Sequence, residues 1–230
     1  MQNRIKVALL IVIAFPAILS GQNYINNPYT RFALGDLINS GFSYNKSLGG
    51  SSIALRPRNQ INYMNPASYT SQDTLSFLFL TGMSGRGSFV KTSSESDDLY
   101  NINLDYFAIG FPITTWLKFS LGLTPFSRTE YHFRQYYEGS DELAVEHKGK
   151  GGFNEFYFGA GLQPFKFLSL GVNASYLFGD IHRERSVDVP NQTVASTKIT
   201  EDFIADDFYF QAGIQVHPSF TGSNGKNHLF

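Results

Sequence analysis

His132, His147 and His182, with Asp141, Glu142, Asp180 and Glu184, are the residues of this chain whose types suit acid–base or nucleophilic chemistry. A hydrolytic enzyme needs a nucleophile and a base converging on one point, with a third group to orient the base. No short motif links a serine to these histidines, and the chain contains 0 cysteines, which removes thiolate nucleophiles, thiolate metal sites and disulfides together. His182 and Glu184 stand two apart in an extended segment with no evident third ligand, too few for a metal site. The scattered charges read as solvated groups on connecting segments. The sequence therefore predicts no catalytic, metal or cofactor site, and a protein that is not an enzyme.

The elements that must carry these residues are strands. From Leu168 to Phe178, Leu168, Leu170, Val172, Ala174, Tyr176 and Phe178 alternate with Ser169, Gly171, Asn173 and Ser175. A strict period of two gives one apolar and one polar face. Similar alternation runs near 74–82 and 100–113, from Leu117, and near 154–163 and 207–217. Most of these six segments approach the ~9 to 11 residues that a tilted strand needs to cross a bilayer. In a soluble sheet the apolar face turns to a core; in a transmembrane barrel it turns outward to lipid.

The ends and the composition favour the membrane. Arg4 and Lys6 precede an apolar run from Val7 to Leu19 that closes in Ser20 and Gly21, the form of a secretory signal peptide over residues 1–22. No cysteine follows the run, which excludes a lipid-anchored lipoprotein. Aromatic residues are 16% and charged residues only 16%, below the usual charged share of about 25%, which suits strands with aromatic girdles. The net charge of -1 gives no reason to expect nucleic acid as a partner. No stretch after the leader is long and apolar enough for a membrane helix, so a spanning chain must use strands.

The connections alternate in length. Those around Pro112 to Trp116 and Pro164 to Phe167 are short. Those from Met83 to Leu99, Ser127 to Phe153 and Asp180 to Asp206 are long and polar. Short periplasmic turns and long external loops are the layout of a Gram-negative outer-membrane barrel. The expected fold is an all-β, antiparallel transmembrane barrel, multi-pass in the outer membrane, over residues 74–230. Arg128, Arg134, Lys148, Lys150, Arg183 and Arg185 are placed to meet lipopolysaccharide phosphates, and Asp97, Asp98, Asp206 and Asp207 to share bridging cations. Residues 23–73, rich in Asn, Gly, Ser and Pro, keep no alternation and form either a periplasmic tail or a plug in the lumen.

Within that segment, Gly49-Gly50-Ser51-Ser52-Ile53-Ala54, then Asn59 to Tyr63, then Asn65-Pro66-Ala67-Ser68 stand just ahead of the strand at Thr74. This order resembles the N-terminal hatch signature of the FadL-type outer-membrane transporters of hydrophobic compounds. Asn27-Pro28-Tyr29-Thr30-Arg31-Phe32 and Leu34-Gly35-Asp36 resemble the start of one branch of that family. The residues agree physically, since glycines such as Gly49 and Gly50 enter conformations that others resist, Pro66 stiffens a turn, and Asn65 suits an Asx turn. The resemblance implies a barrel blocked by its own hatch, with Gly49, Gly50, Asn65, Pro66 and Ala67 as hatch residues. It further implies passive uptake of a hydrophobic small molecule, such as a long-chain fatty acid or aromatic hydrocarbon. Pro125 would then help a kink in the third strand open the wall sideways; otherwise it marks the strand's outer end.

A general porin or a structural outer-membrane barrel is the alternative, and an outer-membrane enzyme a weaker one. The position of residues 23–73, inside or outside the barrel, separates them. Six strands fall short of even the smallest barrels, with about 8 strands, so the chain reads as an N-terminal fragment of a larger wall.

Overall fold

The computed structural model describes residues 27–38, 41–91, 96–137, 140–188, 197–221 and 227–229. The expected signal peptide lies outside the described residues. Two units are distinguished, Met1–Ile25 with Met83–Leu104, and Asn26–Gly82 with Asp105–Phe230. The second unit contains the N-terminal segment and most of the strand residues.

Its N-terminal segment holds two short 3₁₀ turns, η1 (Pro28–Arg31) and η2 (Pro66–Ser71), a two-residue strand β1 (Asp36–Leu37) and one helical turn α1 (Ser43–Ser47). The long strands of the chain come next: β2 (Leu78–Lys91), β3 (Ser96–Pro112), β4 (Leu117–Pro125), β5 (Ser127–Tyr137), β6 (Ser140–Phe165), β7 (Leu168–Asp188) and β8 (Thr197–Val216). A small hairpin of β9 (Ser219–Thr221) and β10 (Asn227–Leu229) stands apart from the main sheet.

The main sheet runs β2-β3-β4-β6-β7-β8, with antiparallel pairing from β3 to β8. Strand β6 is long enough to take two partners along one edge, β4 beside its second half and β5 beside its first. Strands β4 and β5 thus form one stave, broken at Phe126. There Phe126 N donates to Phe153 O at 2.8 Å, and pairing resumes at Thr129 opposite Gly151. Gly151 and Gly152 face this break with φ of 121° and 148°, a region that side chains with a Cβ rarely adopt.

The short connections fall where the alternation ends, at residues 113–116 and 166–167. The segments expected to be long loops are largely strand. Ser127 to Phe153 contains all of β5 and the first half of β6, and the 180–206 connection is strand up to Asp188 and again from Thr197. On these extensions the face that continues the apolar bands is charged, as in Glu130, His132 and Arg134 or Glu146, Lys148 and Lys150, while Tyr131, Phe133 and Val145 lie on the other. The apolar band therefore ends while the hydrogen-bonded ladder continues.

The two faces of the sheet are inverted relative to a soluble protein. Ser120, Tyr157, Ser169, Asn173 and Ser175 are fully buried, whereas Phe156, Phe158, Val172, Phe208, Phe210, Ile214 and Val216 are exposed, Phe210 to 73%. Leaving that apolar face in water would forfeit roughly 25 cal/mol for every Å². The fold is all-β, mostly one antiparallel sheet; among the described residues it does not close on itself. No helix among the described residues is long and apolar enough to cross a membrane, which says nothing about strands.

Candidate functional site

The polar face is buried because the N-terminal segment lies on it. Register explains how the segment comes so close. Gly161 pairs with Gly171, and Gly171 with Gly213, so three neighbouring strands present a row without side chains. Segment η2 fills that row. A Cβ on Gly171 would stand 2.2 Å from the Pro66 carbonyl carbon, and one on Gly213 would stand 2.1 Å from Asn65 Oδ1. One row further along, Gly159 leaves space for the Tyr69 ring.

Asn65 starts η2 by accepting a hydrogen bond from Ala67 N at 3.1 Å, with Pro66 at the first helical position, where no N–H is needed. Its Nδ2 donates to Ile53 O at 2.9 Å. Ala67 is fully buried. Gly49 and Gly50, with φ of 64° and 81°, end α1 and face open space. Their amides reach back to Lys46 O and Asn45 O. The hatch-motif residues are thus split, with Asn65, Pro66 and Ala67 against the sheet and the glycine pair away from it.

Strand side chains grip the segment's backbone carbonyls. Asn173 Nδ2 donates to Tyr63 O at 3.2 Å, Gln211 Nε2 to Met64 O at 3.0 Å and Gln215 Nε2 to Ile53 O at 3.0 Å. Asn173 Oδ1 accepts from Tyr69 Oη at 2.9 Å. Each contact satisfies a buried polar group that would otherwise cost about 1–3 kcal/mol. Inside the segment Asn45 donates to Ser52 Oγ and to Asn62 Oδ1, and Asn62 donates to Ser52 O. Phe42, Ile61, Tyr63, Tyr69, Tyr106, Ala108 and Tyr157 pack into a common core between segment and sheet.

Two ionic groups lock the ends. Arg56 donates to Thr70 Oγ1 and Gln215 Oε1, both at 2.9 Å, and to Ser169 Oγ at 3.2 Å; its burial lowers its pKa. Tyr63 Oη donates to buried Glu155 and lies 3.3 Å from Tyr209 Oη. Burial first, and the Glu155 carboxylate second, push its phenol well above the usual range. A cavity of about 610 Å³ opens beside this pair, lined in part by Ile53, Met64, Phe126 and Gln211.

The acid–base candidates are not brought together. His132 Nε2 meets Glu146 at 2.7 Å, His182 meets Asp202, and Glu184 meets Lys198 at 2.7 Å. His147 stacks on Phe133. The side chains of Asp141 and Glu142 lie outside the described ones, as do those of Asp97 and Asp98. No group of three potential metal ligands occurs among the described residues. A serine–histidine pair absent from the sequence reading is Ser169 with His217, 3.0 Å apart. Ser169 Oγ is fully buried and already accepts from Arg56 and Thr70, so it serves as a hydrogen-bond hub.

Pro125 is the last residue of β4, opposite Asn154 and beside the break at Phe126. Beyond it, the edge of β5 facing away from β6 is taken by the N-terminal segment. Asp36 pairs with Arg128, Leu37 pairs with Ser127, and Asn27 N donates to Glu130 O at 3.0 Å.

Sequence reasoning passed over Arg56 and Tyr69 and, although it included Asn59 to Tyr63 in the signature, gave no role to Asn62 or Tyr63; these four residues tie the segment down. The legible signal for them was on the strands, where glycines and amides share the polar face.

Comparison with known proteins changes the functional reading. A family model described as BamG matches residues 1–226. No curated protein and no solved structure matches the chain. The match overturns the FadL resemblance, and with it the channel for fatty acids, the hydrophobic solute as partner and any role in lipid transport. The physical reason for the false lead is now visible. An Asn cap, a Pro at the first helical position and a small Ala are general requirements of a tight turn pressed on a glycine row, and they specify no cargo. The expected association with the outer membrane agrees with the match.

Proposed function

The chain belongs to the BamG family, and on that premise we propose that it works in outer-membrane protein assembly, binding the Bam assembly complex to which the family's name points and performing no chemistry of its own. The match over residues 1–226 carries this reading. The inverted sheet supports its membrane setting. In the proposed arrangement the apolar bands of β3, β4, β6, β7 and β8 face lipid as part of a barrel wall, and the segment from Asn27 to Asp73 plugs the interior. The strand extensions beyond the bands, β5 and the outer parts of β6, β7 and β8, stand clear of the hydrocarbon and offer surface to a partner.

A filled interior suits a scaffold more than a conduit. Asn173, Gln211 and Gln215 spend their hydrogen-bonding capacity on the chain's own segment, whose Arg56 donates back to Gln215. The test is affinity purification of the tagged chain from its native envelope, with an unrelated outer-membrane protein as control. Enrichment of Bam components, and fewer folded outer-membrane barrels on depletion of the chain, is the expected result. Absence of Bam components together with normal barrel levels rejects the proposal and leaves a structural outer-membrane role.

A further inference from the structure

Beyond the apolar band the two faces of the sheet treat charge differently. On the face continuous with the apolar band, charges neutralise one another: Glu146 contacts His132, Arg134 and Lys148, Glu184 contacts Lys198, and His182 contacts Asp202. On the opposite face register brings together two rows. Tyr131, Gly149, Arg183 and Glu201 form one, and Phe133, His147, Arg185 and Ile199 the next. Arg183 and Arg185 therefore point the same way, about 7 Å apart along β7.

Arg31 of η1 reaches over this surface, with its guanidinium 5.7 Å from the Phe133 ring centre, and Phe133 stacks on His147 at 4.9 Å. Ala33, held in the left-handed region at φ 49°, offers its carbonyl to Arg183 Nη2. Arg183 Nε is buried and has no hydrogen-bond partner among the described residues. Among the described residues no carboxylate lies within ion-pair distance of Arg31, Arg183 or Arg185. Glu201, although opposite Arg183 in the ladder, makes no ion pair with it. Three arginines gathered without counter-charge, beside ring faces, have the donor geometry that recognises planar carboxylates bidentately.

We propose that Arg31, Arg183 and Arg185 form a binding site for the carboxylates of an acidic peptide segment belonging to a protein partner. A bilayer lipid is the poorer occupant, because its headgroup meets the opposite face, where Glu146, Glu184 and Asp202 already pair with neighbouring cations. This site deepens the assembly role proposed above by giving the partner a chemistry, and it rests on that reading only for who the partner is.

The test uses the purified full chain in detergent micelles and a fluorescent decapeptide of alternating Glu and Gly, with the Gln–Gly peptide as control. Binding of the Glu peptide alone, weakened roughly tenfold by Arg183→Gln with Arg185→Gln and weakened again by added salt, is the expected result. Arg31→Gln, which lies outside the long strands, is expected to weaken it as well and guards against misfolding of the β7 variant. Lys150→Gln leaves it unchanged. Equal binding of both peptides, indifference to both arginine variants, or competition by phospholipid vesicles bearing phosphate headgroups overturns the proposal. Since no Bam component is present, failure here leaves the co-purification result standing.

Discussion

Gly213 on β8 and Asn65 at the start of η2 occupy one space: a Cβ on residue 213 would lie 2.1 Å from the Asn65 side-chain oxygen. That oxygen is the cap of η2, so the missing side chain on one element is what lets the other turn.

Gly213→Ala is therefore expected to destabilise the seated segment by about 1–3 kcal/mol, the usual cost of overpacking. Gly171→Ala is expected to act in the same direction, since its Cβ would meet backbone atoms of Pro66 and Ala67 at 2.2 and 2.3 Å. Limited proteolysis reads the effect directly. Cleavage between Asn27 and Asp73 should accelerate in both variants while the ladder from β6 to β8 stays protected.

Asn173→Ala removes one side chain that satisfies Tyr63 O and Tyr69 Oη at once. Two buried polar groups are left without partners, a loss of about 2–4 kcal/mol if they are not rehydrated. Thermal unfolding in detergent should show a clear drop in melting temperature. Asn173→Ala on top of Tyr69→Phe should cost less than the two single losses added together, because they share a hydrogen bond.

Phe210→Arg places a charge in the middle of the exposed apolar face. In a barrel wall such a change costs about 2–4 kcal/mol near the bilayer midplane. Membrane fractionation is expected to show reduced insertion of the variant. The same substitution in the polar extension, Thr200→Arg, should insert normally; equal insertion of both would refute the lipid-facing assignment.

Glu146, beyond the apolar band, carries a carboxyl held down to about 2, through its hydrogen bonds to His132 and Lys148. A folded-state value below the ordinary 4.5 adds stability that is complete above the ordinary value and fades as pH falls towards 2. Glu146→Gln should therefore flatten the loss of stability between pH 4.5 and 2, measured as melting temperature in that window. Because the group stands at the surface, the effect is expected to be small and to shrink with salt.

The faces of the strands were legible because apolar and polar residues alternate wherever one side must meet hydrocarbon. Leu168 to Phe178 and 154–163 are strands in that register. The extensions were not legible, since the face that continues the apolar bands becomes charged there, as in Glu130, His132 and Arg134 or Glu146, Lys148 and Lys150, and charge in that position reads as a solvated loop. The docking of the N-terminal segment was half written in Gly161, Gly171 and Gly213, which only acquire meaning once register aligns them. Asn65-Pro66-Ala67 misled because it encodes a turn and its fit, which proteins of different function can require alike.

The seating of η2 also sets an order in time. Asn65 approaches Ile214, 149 positions away, so its resting place does not exist until β8 has been made and paired. Closing a loop of that length costs entropy that local pairing of β6, β7 and β8 does not, and contacts so distant in sequence form slowly. The residues synthesised early are thus the ones that settle late, and in the interval their apolar members, Phe42, Ile61, Tyr63 and Tyr69, stand uncovered. Seating of this segment accordingly waits on β8, and until β8 pairs the segment is an apolar stretch of nascent chain open to other contacts.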